Sequence, residues 1–589
     1  GGPLSRYYAD PHIVIDWTKD GEIIGEHGNM RNPTMMLRPG ITWSRRTTSE
    51  LSLRILPKQC IFADKGPALI VEDDNPQKLL TLLSILNSSV FSALVGLQLA
   101  AADTAARSYE VGILASTPLA LPDTLRSKKL SDLALRAWML KRNLDLNEMT
   151  SHSFLRPALL DQKTRNLNEA FQNWSKKEND TIYELNLIQH EIDMLSLQSY
   201  GLTSKDMAKL IRSESTTPSQ EVSNKENSAG VVLYEIGTLV SALIDYLTGC
   251  AFAVWDIRLA KDINLDLKLS GPFEPLPACP TGMLVNPDGL PAEPKRIVSE
   301  EWLFARPDAN SLPPEGVVNN PIIPDTEYPI RIAWHGILVD DPGLNSAQPH
   351  HDDIVRRVRE ILELLWEDKS HEIEQEACDI LNVSDLRDYF RKSAKFFQDH
   401  LKRYSKSRRK APIYWPLSTP SCSYTLWIYY HRLTDQTLYT CVQDYVDPKI
   451  KDVSGEIAII QKDLGEGGNS KLRSQLEKLM DFQQELTEFK DELLRLAKLP
   501  YQPNLNDGVM ITAAPLWKLF QLKSWQKDLK SCWDKLEARD YDWAHLAYSI
   551  WPDRVRETCK KERSIAIAHG LEEICEVETP KKAKKRKKK

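Results

Sequence analysis

The chain has 589 residues and a mass of 67.2 kDa, which corresponds to roughly three to five domains at ~100–200 residues each. Hydrophobic residues make up 42% and charged residues 27%, a composition typical of globular domains. The formal net charge is −6, but residues 581–589 contain eight basic side chains, so the remaining 68 basic and 82 acidic residues give −14. These values exclude a histone-like polycation and disorder over most of the chain.

Cysteine usage and hydropathy indicate the compartment. None of the nine cysteines forms a Cys-x-x-Cys pair, which argues against a zinc ribbon and a disulfide framework. A reducing, cytoplasmic location is therefore predicted. The most apolar run, residues 231–255, contains Glu235 and Asp245, so we predict a buried helix rather than a membrane span.

The residue pattern predicts a multidomain α+β protein that is mainly α-helical. In residues 1–123, short β-type runs at 13–15, 51–56, 60–62 and 68–71 precede one apolar helix over 76–101, which predicts a mixed α/β domain. Residues 124–212 have helical periodicity. Leu185, Ile188, Ile192 and Leu195 are spaced like a coiled-coil seam, although an ordinary long helix in a bundle fits equally well.

The second half predicts further segments. Residues 213–230 are a polar linker, 231–345 combine the buried helix with a Pro/Gly-rich irregular region, and 346–411 are helical with a basic end. A helix after Asp352 has an apolar stripe and an aspartate N-cap, either Asp352 or Asp353. An aromatic β-type stretch and a helical hairpin occupy 412–500, a small helical module 501–579, and a basic tail 580–589.

The familiar catalytic motifs are absent from the sequence. It contains no Gly-x-x-x-x-Gly-Lys-Ser/Thr loop, no Gly-x-Gly-x-x-Gly after a strand and no Gly-x-Ser-x-Gly elbow. Residues 350–353, His-His-Asp-Asp, have metal-ligand side chains. Adjacent residues on a regular element rarely converge on one ion, so we predict a loop that leads into a helix cap and no metal site.

Two stretches have a net positive charge although the chain as a whole is acidic, and they are candidate DNA contacts. Residues 31–65 hold seven basic side chains and two acids, interleaved with small hydroxyls and an aromatic. Residues 391–410 hold nine basic side chains and one acid. The alternative in both cases is a solvated surface without a ligand. The predicted DNA-binding residues are Arg38, Thr42, Trp43, Arg45, Arg46, Arg54, Lys65, Lys395, Lys402, Arg403, Arg408 and Arg409.

Several short sequence segments, taken in order along the chain, resemble one protein family. They are RPGITW at 38–43, RILP at 54–57, CIF at 60–62, LNSSVF at 86–91, YEVG at 109–112, YLTGCAF at 246–252, WDIR at 255–258, YW at 414–415, LWIYYHR at 426–432, NLNDGV at 504–509, WPDRV at 551–555 and AIAHG at 566–570. Together they resemble the C-terminal, target-recognition and helical portion of PglX-type adenine-specific DNA methyltransferases of BREX phage-defence systems and related Type IIG/IIL restriction-modification proteins.

The resemblance implies adenine N6 methylation with S-adenosylmethionine, on an adenine flipped out of duplex DNA. The family's catalytic Asn-Pro-Pro-Tyr and Gly-rich loop are not in this sequence, and the nearest strings, at 285–288 and 319–322, lack the second proline and the aromatic. We therefore assign no catalytic, cofactor or metal residue. We expect a DNA-recognition portion whose S-adenosylmethionine-binding catalytic half is missing or separately encoded.

The expected partners are double-stranded DNA, that catalytic half and other phage-defence proteins. The alternative is a non-catalytic scaffold of a defence complex that acts through its helical arms.

Overall fold

The computed structural model describes residues 5–15, 17, 21, 32–99, 107–208, 229–261, 270–305, 321–344, 349–406, 409–465 and 470–576. Its contacts divide the chain into two units. Unit 1 comprises Gly1–Tyr246 and Val254–Pro329, and unit 2 comprises Leu247–Ala253 and Ile330–Lys589. Both are mainly helical with small antiparallel sheets, which confirms the predicted α+β class. The finer division into eight segments stays a prediction.

The elements of unit 1 follow in chain order. The strands are β1 (Gly40–Trp43), β2 (Arg46–Thr47), β3 (Leu53–Leu56), β4 (Ala68–Leu69), β5 (Arg107–Ser108), β6 (Ile297–Val298) and β7 (Ile322–Ile323). The helices are α1 (Pro76–Leu86), α2 (Ser89–Gly96), α3 (Val111–Ser116), α4 (Thr124–Asp145), α5 (Leu167–Ser199), α6 (Ile236–Ala251, which contains the unit boundary), α7 (Arg258–Lys261) and α8 (Glu300–Ala305).

The first sheet has the order β3-β1-β4, and β1 pairs antiparallel with both neighbours. Gly40 opens β1 opposite Leu56, and a Cβ there would lie 2.5 Å from the Leu69 carbonyl oxygen. Only glycine allows that approach. The β-type runs at 13–15 and 60–62 form no strand, and the side chains at 13–15 are exposed. These two predictions are wrong, because β-propensity without a pairing partner does not make a strand.

The predicted helix over 76–101 is two helices, because the chain turns at Asn87 and Ser88. Asn75 caps α1 with Pro76 at its first position, and the Ser88 side chain caps α2 by accepting from the amide of Phe91. No single helix among the described residues is long and apolar enough to span a membrane. The α1–α2 pair passes that test only jointly, with a 61° bend, and most of its side chains are buried inside unit 1.

Helices α4 and α5 complete the core of unit 1. Leu185, Ile188 and Ile192 are buried in one cluster with residues of α1 and α4, so the heptad-like stripe packs on the unit's own core. Residues 146–166 interrupt the predicted helical segment. Its last residues, 209–212, and residues 213–228 of the predicted linker lie outside the described residues. Helix α6 is largely buried, as predicted. Within 256–345, the described residues hold only short elements.

The elements of unit 2 follow in chain order. The strands are β8 (Ile337–Asp340), β9 (Ser405–Lys406), β10 (Arg409–Lys410), β11 (Tyr414–Ser418) and β12 (Thr425–Tyr429). The helices are α9 (Ile354–Trp366), α10 (Ser370–Leu381), α11 (Leu386–Arg391), α12 (Phe396–Arg403), α13 (Thr437–Thr440), α14 (Asp447–Gly465), α15 (Ser470–Lys498), α16 (Gly508–Ala513), α17 (Lys523–Glu537), α18 (His545–Ile550), α19 (Pro552–Lys561) and α20 (Arg563–Ala568). A π-helical turn spans Cys441–Val446.

The sheet β11-β12-β8 forms the centre of unit 2. Every residue of these three strands is buried, including Trp415 and Trp427. Pro416 lies in β11, an edge strand, where its missing amide hydrogen costs no ladder bond. The aromatic β-type stretch and the helical hairpin, α14 with α15, are confirmed. Asp353 caps α9 by accepting from the amide of Arg356 at 2.9 Å.

Candidate nucleic-acid interface

A cluster of basic residues lies where β1 and β2 meet in unit 1. The amide of Arg45 donates to the carbonyl of Lys65 at 3.1 Å, and β2 pairs with β5, which opposes Arg46 to Ser108. These pairings bring together side chains that are distant in sequence. We call Arg45, Arg46, Lys65 and Arg107 the basic edge. The sequence analysis missed Arg107, because only the β2–β5 pairing brings it to the other three.

The side chains of the basic edge differ in their exposure and pairing. Arg45 is ion-paired with Asp64 and, through Nε at 3.0 Å, with Glu110. Arg46, Lys65 and Arg107 are exposed. The basic edge thus places four basic side chains, three of them exposed, on a framework of strands and loops, and exposed basic side chains suit phosphate oxygens.

Other predicted contact residues of the first stretch are engaged within the fold. Arg38 binds Asp74 through Nη2 at 2.7 Å and Nε at 3.0 Å. Trp43 is 3% exposed, and its indole N–H donates to the carbonyl of Tyr109 at 3.0 Å. Trp43 is therefore a core residue, and its prediction as a DNA contact is corrected. An aromatic among basic residues does not reveal which way the strand faces.

Thr42 and Arg54 are also partly used by the sheet. The Thr42 hydroxyl donates to the carbonyl of Pro67 at 2.9 Å, and Arg54 Nη2 donates to Ser44 Oγ at 3.3 Å. Burial lowers the pKa of the Arg54 guanidinium from its ordinary value. The structure thus places these residues as supports of the sheet beside the basic edge.

Unit 2 carries a second basic surface, which we call the basic hairpin: Lys402, Arg403, Lys406 and Arg409. Lys402 is exposed on α12, and Arg409 is exposed on β10, which pairs with β9. Arg408 lies outside the described residues. Lys395 is not part of this surface, because its ammonium group donates to the carbonyls of Leu381 and Asn382 at 3.0 and 3.2 Å, where α10 ends.

An open groove of about 590 Å³ in unit 2 is lined by residues of the second basic stretch and of the turn after β11. Arg391, Lys392 and Lys395 contribute charge, and Ser421 and Ser423 contribute hydroxyl groups. All three cations are tethered: Arg391 to Asp340, Lys392 to Asp388 and Lys395 to carbonyls. The groove therefore has little unpaired charge.

The sequence segments that carry the family resemblance include residues whose polar groups are bonded within the fold. Asn87 is fully buried, and its amide both accepts from the N–H and donates to the carbonyl of Leu53, each at 2.9 Å. This bonding ties the α1–α2 turn to β3. Arg258 forms a buried ion pair with Asp256 at 2.7 Å and donates to the carbonyl of Val298 at 2.8 Å. Such fully satisfied polar groups fix a fold rather than act on a substrate.

The two strings nearest to the implied Asn-Pro-Pro-Tyr tetrapeptide lie at 285–288 and 319–322. Asn286 is 3% exposed, and its side chain accepts from the amide of Asp288 at 3.2 Å, which closes its own turn. The string at 319–322 begins outside the described residues. No methyl-transfer step is therefore derived for this chain.

Comparison with known proteins finds similarity to one class of enzymes. No protein-family model matches the chain. The chain is instead similar, along most of its length, to adenine-specific methyltransferases. This finding confirms the relationship to PglX-type methyltransferases that the motifs indicated.

Two particular relatives establish this similarity. The chain is 22% identical over 527 residues to the adenine-specific methyltransferase BrxX of Escherichia coli O9:H4 (strain HS). It is 21% identical over 546 residues to the adenine-specific methyltransferase PglX of Lacticaseibacillus casei (strain Zhang). Each match covers 87% of this chain but only 38% of the relative, so the chain spans about two fifths of their length.

Proposed function

We propose that this chain is the DNA-recognition portion of an adenine-specific DNA methyltransferase in a BREX-type or restriction-modification defence system. The proposal rests on one observation: the chain matches methyltransferases over 87% of its own length but lacks the catalytic tetrapeptide. S-adenosylmethionine would bind, and methyl transfer would occur, in a catalytic portion outside this sequence.

The basic edge is the proposed first contact with duplex DNA. Arg46, Lys65 and Arg107 are exposed on short strands and a turn, where they can meet phosphates without disturbing the core. Arg45 is held by Asp64 and Glu110, so it supports its neighbours. The basic hairpin of unit 2 is proposed as a further backbone contact. In this role phosphate contacts set the register, and a few side chains read base edges.

The test is charge reversal on the basic edge. We expect Arg46→Glu with Lys65→Glu to weaken binding of a random-sequence duplex at least tenfold. The slope of log affinity against log salt should fall by about two, since each lost phosphate contact removes roughly 0.9. Fluorescence anisotropy across a salt series measures both quantities.

The matched control is Lys128→Glu, which reverses an exposed lysine on α4 of the same unit. It should retain the wild-type salt slope. If the double variant and the control behave alike, the basic edge is not the DNA-binding surface.

The helical hairpin favours a second candidate, a scaffold role. In α15 the buried positions begin only at Leu486, while Met480 on α15 and Ile459 on α14 are more than half exposed. Exposed apolar side chains on a long hairpin suit contact with another protein. Ile459→Glu with Met480→Glu should abolish co-purification with a co-expressed catalytic portion and leave DNA affinity unchanged. Unaltered co-purification would contradict this role.

A further inference from the structure

Four aspartates are buried where β8 meets the start of α9 in unit 2. Their exposed fractions are between 0 and 7%, and a buried carboxylate is costly unless a cation or several donors compensate it. The four are Asp340, Asp341, Asp352 and Asp353.

Three of these carboxylates have a permanently charged partner. Arg387 bridges Asp340 and Asp353, and it holds Asp353 through two bonds of 2.8 and 3.0 Å. Asp341 is ion-paired with the buried Lys449. Each of these charges is therefore compensated inside the protein.

Asp352 has a different environment, made mainly of imidazole and phenol groups. Its Oδ2 atom lies 3.1 Å from His351 Nε2, 3.1 Å from the Tyr445 hydroxyl and 3.8 Å from His335 Nε2. The nearest guanidinium atom, Arg331 Nε, is 3.9 Å from Oδ1, which is beyond hydrogen-bonding distance. Among the described residues, this buried carboxylate thus has no close permanent cation.

Two histidines stand beside this carboxylate. The rings of His350 and His351 are 4.2 Å apart, and the amide of Asp352 donates to His350 Nδ1 at 3.1 Å, which fixes the first ring. One ligand atom from each of His350, His351 and Asp352 lies within 4.8 Å of the other two. Two imidazoles and one carboxylate form a donor set typical of zinc and related transition metals.

We propose that His350, His351 and Asp352 bind a divalent transition-metal ion of the zinc type, with His335 as a further donor nearby. Ligand bonds of ~2.0–2.1 Å place neighbouring donors on one ion a little over 3 Å apart, close to the His351–Asp352 separation. Binding exchanges the Nε2–H···Oδ2 hydrogen bond for two metal bonds: Nε2 gives its proton to solvent, and Nδ1 holds the single proton of the neutral imidazole that binds the ion.

This proposal revises the prediction for residues 350–353. Asp353 is the helix cap, as expected, but its three predecessors lie in a loop that does allow adjacent side chains to converge. The ion would neutralise Asp352 and tie this loop to the start of α9. The proposal is independent of DNA binding.

The test is zinc binding by the tag-free, full-length chain. After incubation with Zn²⁺ and dialysis, elemental analysis should find one zinc per chain. His351→Ala and Asp352→Asn should each weaken zinc affinity at least tenfold in competition with a chromophoric chelator. Substitution with Co²⁺ should give an absorption spectrum without thiolate charge transfer, which distinguishes this site from the cysteines.

The matched control is His371→Ala, which removes an exposed histidine of α10 in the same unit and should retain the zinc. His351 is half exposed, so its variant should fold even if Asp352→Asn does not; far-ultraviolet circular dichroism checks this point. Failure of the wild type to retain zinc, equal affinity in the His351 and His371 variants, or a thiolate signature would each overturn the proposal. A pH-dependent stability change without bound zinc would instead assign the cluster to proton binding.

Discussion

Asp145, at the end of α4, is a residue whose environment opposes its charge. Burial raises its pKa to about 7, and the neighbouring Asp10 and Glu148 act in the same direction. The unfolded chain would release this proton near pH 4. A raised folded-state pKa means that the carboxyl group favours folding below about pH 4, and that this contribution is lost as pH rises towards 7.

Asp145→Asn should therefore stabilise unit 1 at pH 8 and not at pH 4.5. Three pKa units correspond to at most ~4 kcal/mol, and we expect about 1–3 kcal/mol because the amide also loses acceptor strength towards Ser151. Urea unfolding at both pH values measures the difference. Asp132→Asn, at an exposed position of the same helix, is the control and should show no such pH dependence. Equal effects at the two pH values would contradict the assignment.

At the scale of elements, periodicity and caps predicted the helices better than the strands. The stripe after Asp353 and the hairpin α14–α15 follow from local spacing alone. The break between α1 and α2 does not, because it depends on Asn87 reaching the backbone of β3, 34 positions earlier in the chain. The strand predictions at 13–15 and 60–62 were wrong for the same reason, because strand pairing depends on residues that are distant in sequence.

Asn87→Ala tests that long-range link. It should destabilise unit 1 by about 2–4 kcal/mol, because two buried hydrogen bonds are lost and the amide of Leu53 is left without its partner. Asn75→Ala removes the exposed cap of the same helix and should cost only ~1 kcal/mol. Chemical denaturation compares the two variants. A smaller loss for Asn87→Ala than for Asn75→Ala would show that the turn does not depend on this amide.

The candidate interface was predictable as a region but not residue by residue. Local charge density located Arg45, Arg46 and Lys65. It gave no sign that Trp43 faces the core, that Arg38 is bound by Asp74, or that Lys395 caps a helix. Arg107 joins the edge through strand pairing alone. Side-chain direction and tertiary packing decide which basic residues are exposed, and neither is a property of composition.

At the scale of the whole molecule, basic residues are concentrated in the C-terminal run 581–589 and on two surfaces of the described fold. The net charge of −6 becomes −14 without residues 581–589, while the basic edge and basic hairpin lie on strands, turns and one helix of the described residues. A run of lysines attracts any polyanion and confers affinity without sequence preference. Basic side chains that a folded framework holds in place can fix the position of the protein along the duplex. Preference for a DNA sequence requires such a fixed position.

Removal of residues 581–589 should therefore change the affinity for DNA without changing the preference for a DNA sequence. We expect the truncated chain to bind random duplex DNA several-fold more weakly, with a salt slope reduced by about two to four. Its enrichment of particular sequences from a random duplex pool should be unchanged. Arg46→Glu with Lys65→Glu should instead lose the enrichment, in addition to the loss of affinity expected above, although residues 581–589 remain. Sequencing of the retained duplexes measures preference, and a salt titration measures affinity. If truncation abolishes the enrichment, or charge reversal leaves it intact, recognition does not reside in the basic edge.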